Sequence, residues 1–192
     1  MSTPERRAAA FLSGITYLRI VLVPAVMWLI LAGYRLRYAY VIGGIVFAIA
    51  AITDFFDGRL ARRWKQTSTL GSFLDTTADK LLVSGALVAL VAVDRASTWI
   101  AFLIIGREIL VMGLRGAIAA DGAVMKPSIW GKTKAAVQFG AIFLAIVRTS
   151  GKVGPLYPDQ YVMFLAGILT IGSAVDYIAR FSGVLSRTRE RR

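Results

Sequence analysis

Residues 53–80 read TDFFDGRLARRWKQTSTLGSFLDTTADK, between two apolar segments of a 192-residue chain. Asp54 and Asp57 are three residues apart and Asp75 and Asp79 four, so on helices each pair shares one face, about one turn apart. The short polar link between the pairs predicts two antiparallel neighbouring helices whose four carboxylates converge at similar depth. Four like charges gathered near a bilayer repel one another and resist desolvation, so positive charge must lie among them. Arg59, Arg62, Arg63 and Lys80 are near in sequence. One or two hard divalent cations would also serve, because an all-oxygen ligand set suits Mg²⁺ or Mn²⁺. Two metals in one site suit displacement at phosphorus. Gly58 and Gly71 lack the side chains that would keep a ligand from the backbone.

The surroundings of this stretch set the fold class. Hydrophobic residues make up 57% of the chain, and several apolar runs approach the about 20 residues that cross a bilayer. The expectation is an all-α polytopic membrane protein with six transmembrane helices, over 15–33, 39–61, 71–93, 99–119, 130–148 and 160–181. Residues 1–14 are too polar at the start and too short in apolar length for a cleavable signal, and read as an N-terminal interfacial amphipathic helix. No repeat or long linker divides the chain, so 1–192 is expected to be a single integral membrane domain ending in a basic tail over 183–192. Residues 150–159, with their Gly and Pro, read as an ordinary turn.

Cysteine and histidine are both absent. Disulfides, thiolate metal sites, a cysteine nucleophile and a histidine base are thereby excluded, leaving carboxylates, hydroxyls, Lys, Arg and hard metals. The formal charge is +12, from 23 Lys and Arg against 11 Asp and Glu. In an apolar chain such a balance serves topology, anionic lipid or a phosphorylated substrate, and no nucleic acid is expected. Basic residues crowd the termini and the loops after spans two and four, whereas the opposite side has only Arg35, Arg37, Arg95, Arg148 and Lys152. The positive-inside rule then places both termini and the aspartates on the cytoplasmic side of a cell membrane.

Asp54, Asp57, Gly58, Ala61, Arg62, Gly71, Asp75 and Asp79 match DxxDGxxARx8Gx3Dx3D at every fixed position. The chain resembles the CDP-alcohol phosphatidyltransferase family, whose signature this is. That resemblance implies two divalent ions holding the diphosphate of a CDP-linked lipid, CDP-diacylglycerol. Asp54, Asp57 and Asp75 would be metal ligands, and Asp79 the general base while also lying near the metals. Gly58 and Arg62 would contact the cytidylyl group or diphosphate, with Ser68 a further candidate. The first span adds TYLRIVLVP, similar to the family's TLLRIxLxP, with Thr16, Arg19 and Pro24 retained; Ser13 stands where many relatives have Asn. Thr16 and Arg19 are thus candidates for the CDP-lipid, although Arg19 could instead snorkel to the interface. The family also tends to form homodimers.

The acceptor is read from spans four and five. Arg107, Glu108 and Arg115 lie in GREILVMGLRG, and Lys132 and Lys134 in PSIWGKTK. Adjacent residues point to different helix faces, so Arg107 and Glu108 are expected to be poor mutual partners, and pairing between helices is favoured. Arg107, Arg115, Lys132 and Lys134 around one cavity favour a phosphorylated acceptor over free serine, choline or ethanolamine. The patterns REIxVxGLR and GKxKxxxQ, here Arg107 to Arg115 and Gly131 to Gln138, resemble the phosphatidylglycerophosphate synthase branch and imply glycerol 3-phosphate. Inositol phosphate, or phosphatidylglycerol for cardiolipin synthesis, are the alternatives within the family. A cation transporter is the alternative outside it, disfavoured because the acids lie at one membrane face rather than midplane. Asp176 and Arg180, four apart, are spaced for an intrahelical pair.

Overall fold

The computed structural model describes the backbone of residues 3–63, 69–120 and 129–189, and the side chains of 14–53, 73–119 and 133–181 with Gly71 and Gly131. Six helices account for nearly all of it: α1 Thr3–Leu31, α2 Ala39–Arg63, α3 Thr69–Ala92, α4 Thr98–Ala120, α5 Ile129–Val147 and α6 Pro158–Arg189. Each coincides with one of the six expected spans. Residues 3–14 are helical and run without a break into the first span, so α1 joins the polar N-terminal segment to an apolar stretch that begins at Gly14.

Apolar residues occur both inside and outside the bundle. Val26, Ile30, Phe47, Leu82, Leu87, Leu90, Ile104, Ile142 and Ile146 form a buried core. Ile42, Ile45, Ile49 and Ile52 make an exposed stripe along α2, and Phe164, Ile168, Ile171, Val175 and Ile178 make another along α6. A helix with an apolar outer face as well as an apolar inner one is adapted to lipid, not water. The segments Gly14–Leu31 and Pro158–Phe181 are long and apolar enough to cross a membrane by themselves, with shorter apolar stretches over Ala39–Thr53 and Thr133–Val147. The charges of α3 and α4 lie within their helices.

The expected neighbours α2 and α3 are in contact, but neither is the other's main partner. The most extensive partner of α3 is α1, which also packs on α2, while α2 and α3 touch only slightly. Small residues explain the choice. A Cβ on Gly85 of α3 would stand 2.8 Å from Val23 Cγ1 on α1, and one on Gly44 of α2 would stand 2.6 Å from Val147 Cγ1 on α5. These close approaches exist because the side chains are missing.

The ends remote from the aspartates are tied by polar contacts. Asp94 (φ 55°) terminates α3 in the left-handed region, with Asp94 N–H bonded to Val91 O and Arg95 N–H to Leu90 O. Nη1 of Arg95 donates to Ala145 O at 3.3 Å and Ile146 O at 2.7 Å, satisfying last-turn carbonyls of α5 and setting a cation at that helix's negative end. Arg148 Nη2 donates to Arg95 O at 2.9 Å and to the buried Asp159 at 2.8 Å. The turn over 150–159 is thus more than a connection: it carries Asp159 to this pair and opens α6 with Pro158, Gln160 Oε1 accepting from Tyr157 N–H.

Candidate active site

Asp75 and Asp79 stand one turn apart on α3, which brings them to one side of that helix. Asp75 Oδ1 accepts from Arg19 Nη1 at 3.1 Å, and Arg19 is only 2% exposed. Arg19 therefore does not snorkel. It turns inward from α1, along with the buried Thr16 one turn earlier, and the α1–α3 contact is what delivers it to the carboxylate. Asp54 and Asp57 fall in α2, as do Gly58 and Arg62. Their side chains lie outside the described residues, as do Ser68 altogether and the side chain of Lys132.

Four residues further along α3, Asp79 opens onto a cavity of about 600 Å³ walled by α3, α4, α5 and α6. Its lining includes Asp79, Lys80, Arg107, Glu108, Arg115 and Lys134. Of the expected acceptor-binding residues, Arg107, Arg115 and Lys134 are thus brought together. Thr16, Arg19 and Asp75 are not part of that lining.

Glu108, 4% exposed, organises the cations. Oε2 of Glu108 is 2.8 Å from Lys80 Nζ, and its Oε1 bonds to Lys134 and lies 3.2 Å from Arg107 Nη1. Lys80 also donates to Asp79 Oδ2 at 2.8 Å. The pairing of Arg107 with Glu108 corrects the expectation that they would be poor partners. The rule on adjacent residues concerns Cβ directions, and a guanidinium on three methylenes reaches round the helix to a carboxylate already held in place. The interhelical pairs to Lys80 and Lys134 were expected in kind. Glu108 and Asp79 against Lys80, Arg107 and Lys134 leave the cluster with one net positive charge, as an anion-binding wall should have.

Other groups in the wall were not among the expected site residues, although Gln138 ends the GKxKxxxQ pattern and Asp176 was expected to pair with Arg180. Gln138 follows Lys134 by one turn on α5 and is 3% exposed. From α6 come Ser173, Asp176 and Tyr177, on a helix without a recognisable motif; the available signal was polar residues at spacings of three and four within an apolar run. Asp176 pairs with Arg180 at 3.0 Å, as its spacing indicated. The Arg115 guanidinium carbon lies 5.7 Å from the Tyr177 ring centroid.

Carboxylates suited to a hard cation are present. Asp79 Oδ1 is buried and lacks a hydrogen-bond partner, while its other oxygen is held by Lys80. A buried carboxylate oxygen of this kind calls for a cation or a proton donor. Among the described residues no three acidic side chains assemble into a metal centre; two of the four aspartates lie outside that set. The residues present fit a divalent metal.

Comparison with known proteins bears on the same residues. The chain is 38% identical over 177 residues to a protein of Mycobacterium tuberculosis named "Probable phosphatidylglycerophosphate synthase", covering 91% of this chain and 82% of the relative. It is 40% identical over 177 residues to the "CDP-diacylglycerol--glycerol-3-phosphate 3-phosphatidyltransferase" of Bacillus subtilis, covering 86% and 92%. A protein of the same name from Yersinia pestis is 38% identical over 170 residues, covering 85% and 90%. The family model described as CDP-alcohol phosphatidyltransferase matches residues 13–172, which extends from α1 through the cavity-lining part of α5 and into α6. Those enzymes are polytopic in the membrane and use divalent metals. An unbroken aspartate signature, a six-helix bundle and a match along most of its length make this chain a member of the CDP-alcohol phosphatidyltransferase family.

Proposed function

We propose that the protein transfers the phosphatidyl group of CDP-diacylglycerol to glycerol 3-phosphate, releasing CMP and forming phosphatidylglycerophosphate. The observation that carries this reading is the placement of Asp79 in the same cavity wall as Lys80, Arg107, Arg115 and Lys134. A proton acceptor beside a net-positive wall is what a phosphorylated alcohol requires. The names of the relatives support the same acceptor.

Asp54, Asp57, Asp75 and Asp79 would hold two Mg²⁺ or Mn²⁺ ions, whose chemistry is to neutralise the diphosphate and the departing phosphate oxygen. The chain's own residues account for the remaining steps. Arg107, Arg115, Lys132 and Lys134 receive the acceptor's phosphate. Asp79 takes the proton from the acceptor hydroxyl as its oxygen forms a bond to the lipid-side phosphorus, and the bond from that phosphorus to CMP breaks. Arg19 fixes Asp75 through their 3.1 Å contact. Gly58, Arg62 and Ser68, with Thr16 and Arg19, form the CDP-lipid side of the site. No covalent enzyme intermediate takes part.

Residues 1–192 act as one membrane domain. The basic termini and the aspartates face the cytoplasm, as the charge asymmetry favours, and the protein works as a homodimer, as the family resemblance implies. The basic 183–192 tail meets anionic headgroups.

The test is CMP release by purified protein with CDP-diacylglycerol and Mg²⁺, offering glycerol 3-phosphate, inositol phosphate and phosphatidylglycerol in parallel. Release with glycerol 3-phosphate alone, stopped by a chelator, is the expected result. Release with another acceptor instead would overturn the acceptor assignment, and none with any acceptor would overturn the reaction.

A further inference from the structure

The cation cluster accounts for one end of the acceptor, and the cavity has polar groups that it leaves unused. Gln138 Oε1 and the Tyr177 hydroxyl are both buried and both without a hydrogen-bond partner. The residues are 3% and 5% exposed and both line the 600 Å³ cavity. Buried polar atoms without partners are uncommon, and each costs its desolvation unless something fills the site.

Position in the wall indicates which part of a substrate meets them. Lys134 and Gln138 are one turn apart on α5, so Gln138 adjoins the cation cluster, and Tyr177 is linked to the same wall by its ring against Arg115. A phosphate held by the cations presents its attached alcohol to neighbouring groups. One hydroxyl must face Asp79 to react; a second would be left to polar groups that are neutral and can donate or accept. An amide and a phenol are such groups.

We infer that Gln138 and Tyr177 read the non-reacting hydroxyl of the acceptor, making the cavity selective for a vicinal diol phosphate over a simple alcohol phosphate. The inference rests on the proposed transfer to glycerol 3-phosphate. It assigns no part in the chemistry to either residue: both determine specificity by leaving a buried polar atom unmatched when the hydroxyl is missing.

The experiment compares glycerol 3-phosphate with 3-hydroxypropyl phosphate, which keeps the phosphate and a terminal hydroxyl but lacks the middle one. Full-length wild type, Gln138→Met and Tyr177→Phe are assayed for CMP release with CDP-diacylglycerol and Mg²⁺. Wild type is expected to favour glycerol 3-phosphate by about tenfold or more in kcat/KM. Each variant should lower that ratio by about threefold to tenfold, the size of one neutral hydrogen bond, mainly by losing activity on glycerol 3-phosphate. An active wild type that uses both acceptors equally, or variants that lose activity on both alike up to complete inactivity, would overturn the inference and leave the proposed function standing. A wild type that releases no CMP with glycerol 3-phosphate would overturn both.

Discussion

The Lys80 ammonium lies 2.8 Å from Glu108 Oε2, joining α3 to α4 across the cavity wall. The same carboxylate bonds Lys134 of α5, so one buried group ties three helices together. Replacing it by Gln138's residue type, Glu108→Gln, leaves Lys80, Arg107 and Lys134 facing one another without their shared anion. The expected loss is about 3 kcal/mol of stability, typical of breaking a buried pair from one side. Thermal unfolding in detergent should show a lower midpoint, and the double variant Glu108→Gln with Lys134→Met should recover most of it. Recovery is the discriminating result, since it requires that excess charge, not lost shape, caused the damage.

Asp79→Asn keeps the size of the side chain and removes its capacity to accept a proton. CMP release should fall by about 10²- to 10⁴-fold, the range for loss of a positioned base, while CDP-diacylglycerol still binds. Equilibrium binding of a CDP-lipid analogue, measured beside turnover, separates the two effects. Unchanged turnover would remove the base assignment.

Mg²⁺ should raise the unfolding midpoint of the wild type, because a ligand that binds only the folded state stabilises it by mass action. Asp75→Asn should weaken that response. The midpoint measured against Mg²⁺ concentration reports the site without turnover, and an equal response in both proteins would argue against Asp75 as a ligand.

Asp159→Asn tests the opposite end of the bundle. It breaks the 2.8 Å pair with Arg148 and disturbs the link from Arg148 to the Arg95 carbonyl. A stability loss of about 3 kcal/mol is expected for a carboxylate buried to this degree. The KM for glycerol 3-phosphate, measured well below the unfolding midpoint, should not change, because these residues lie away from the cavity lining.

Much of this molecule could be read before its structure. Six apolar runs gave six helices because a bilayer demands length and apolarity from each segment alone. Asp75 and Asp79 could be placed on one side of a helix because their spacing is local to α3. The pairing of helices was less legible: α1, not α2, is the main partner of α3 through the fit of Val23 and Met27 over Gly85, which depends on shape across 58 or more residues of chain. Glu108 was visible as a charge but not as a hub, since that depends on Lys80 and Lys134 arriving from other helices. Ser173, Asp176 and Tyr177 carried too little pattern to be grouped with the cavity, and only the fold assembles them there.

The contact between Arg19 and Asp75 also has a bearing on how the protein is made. The two residues are separated by 56 positions. At about 5–20 residues per second, the ribosome completes Asp75 roughly 3–11 s after Arg19. The buried counter-charge of the first helix and its principal docking surface on α3 are therefore made seconds after the helix itself. The first helix can pack on α2 as soon as that helix is made, but its buried ion pair closes only when α3 arrives, out of chain order.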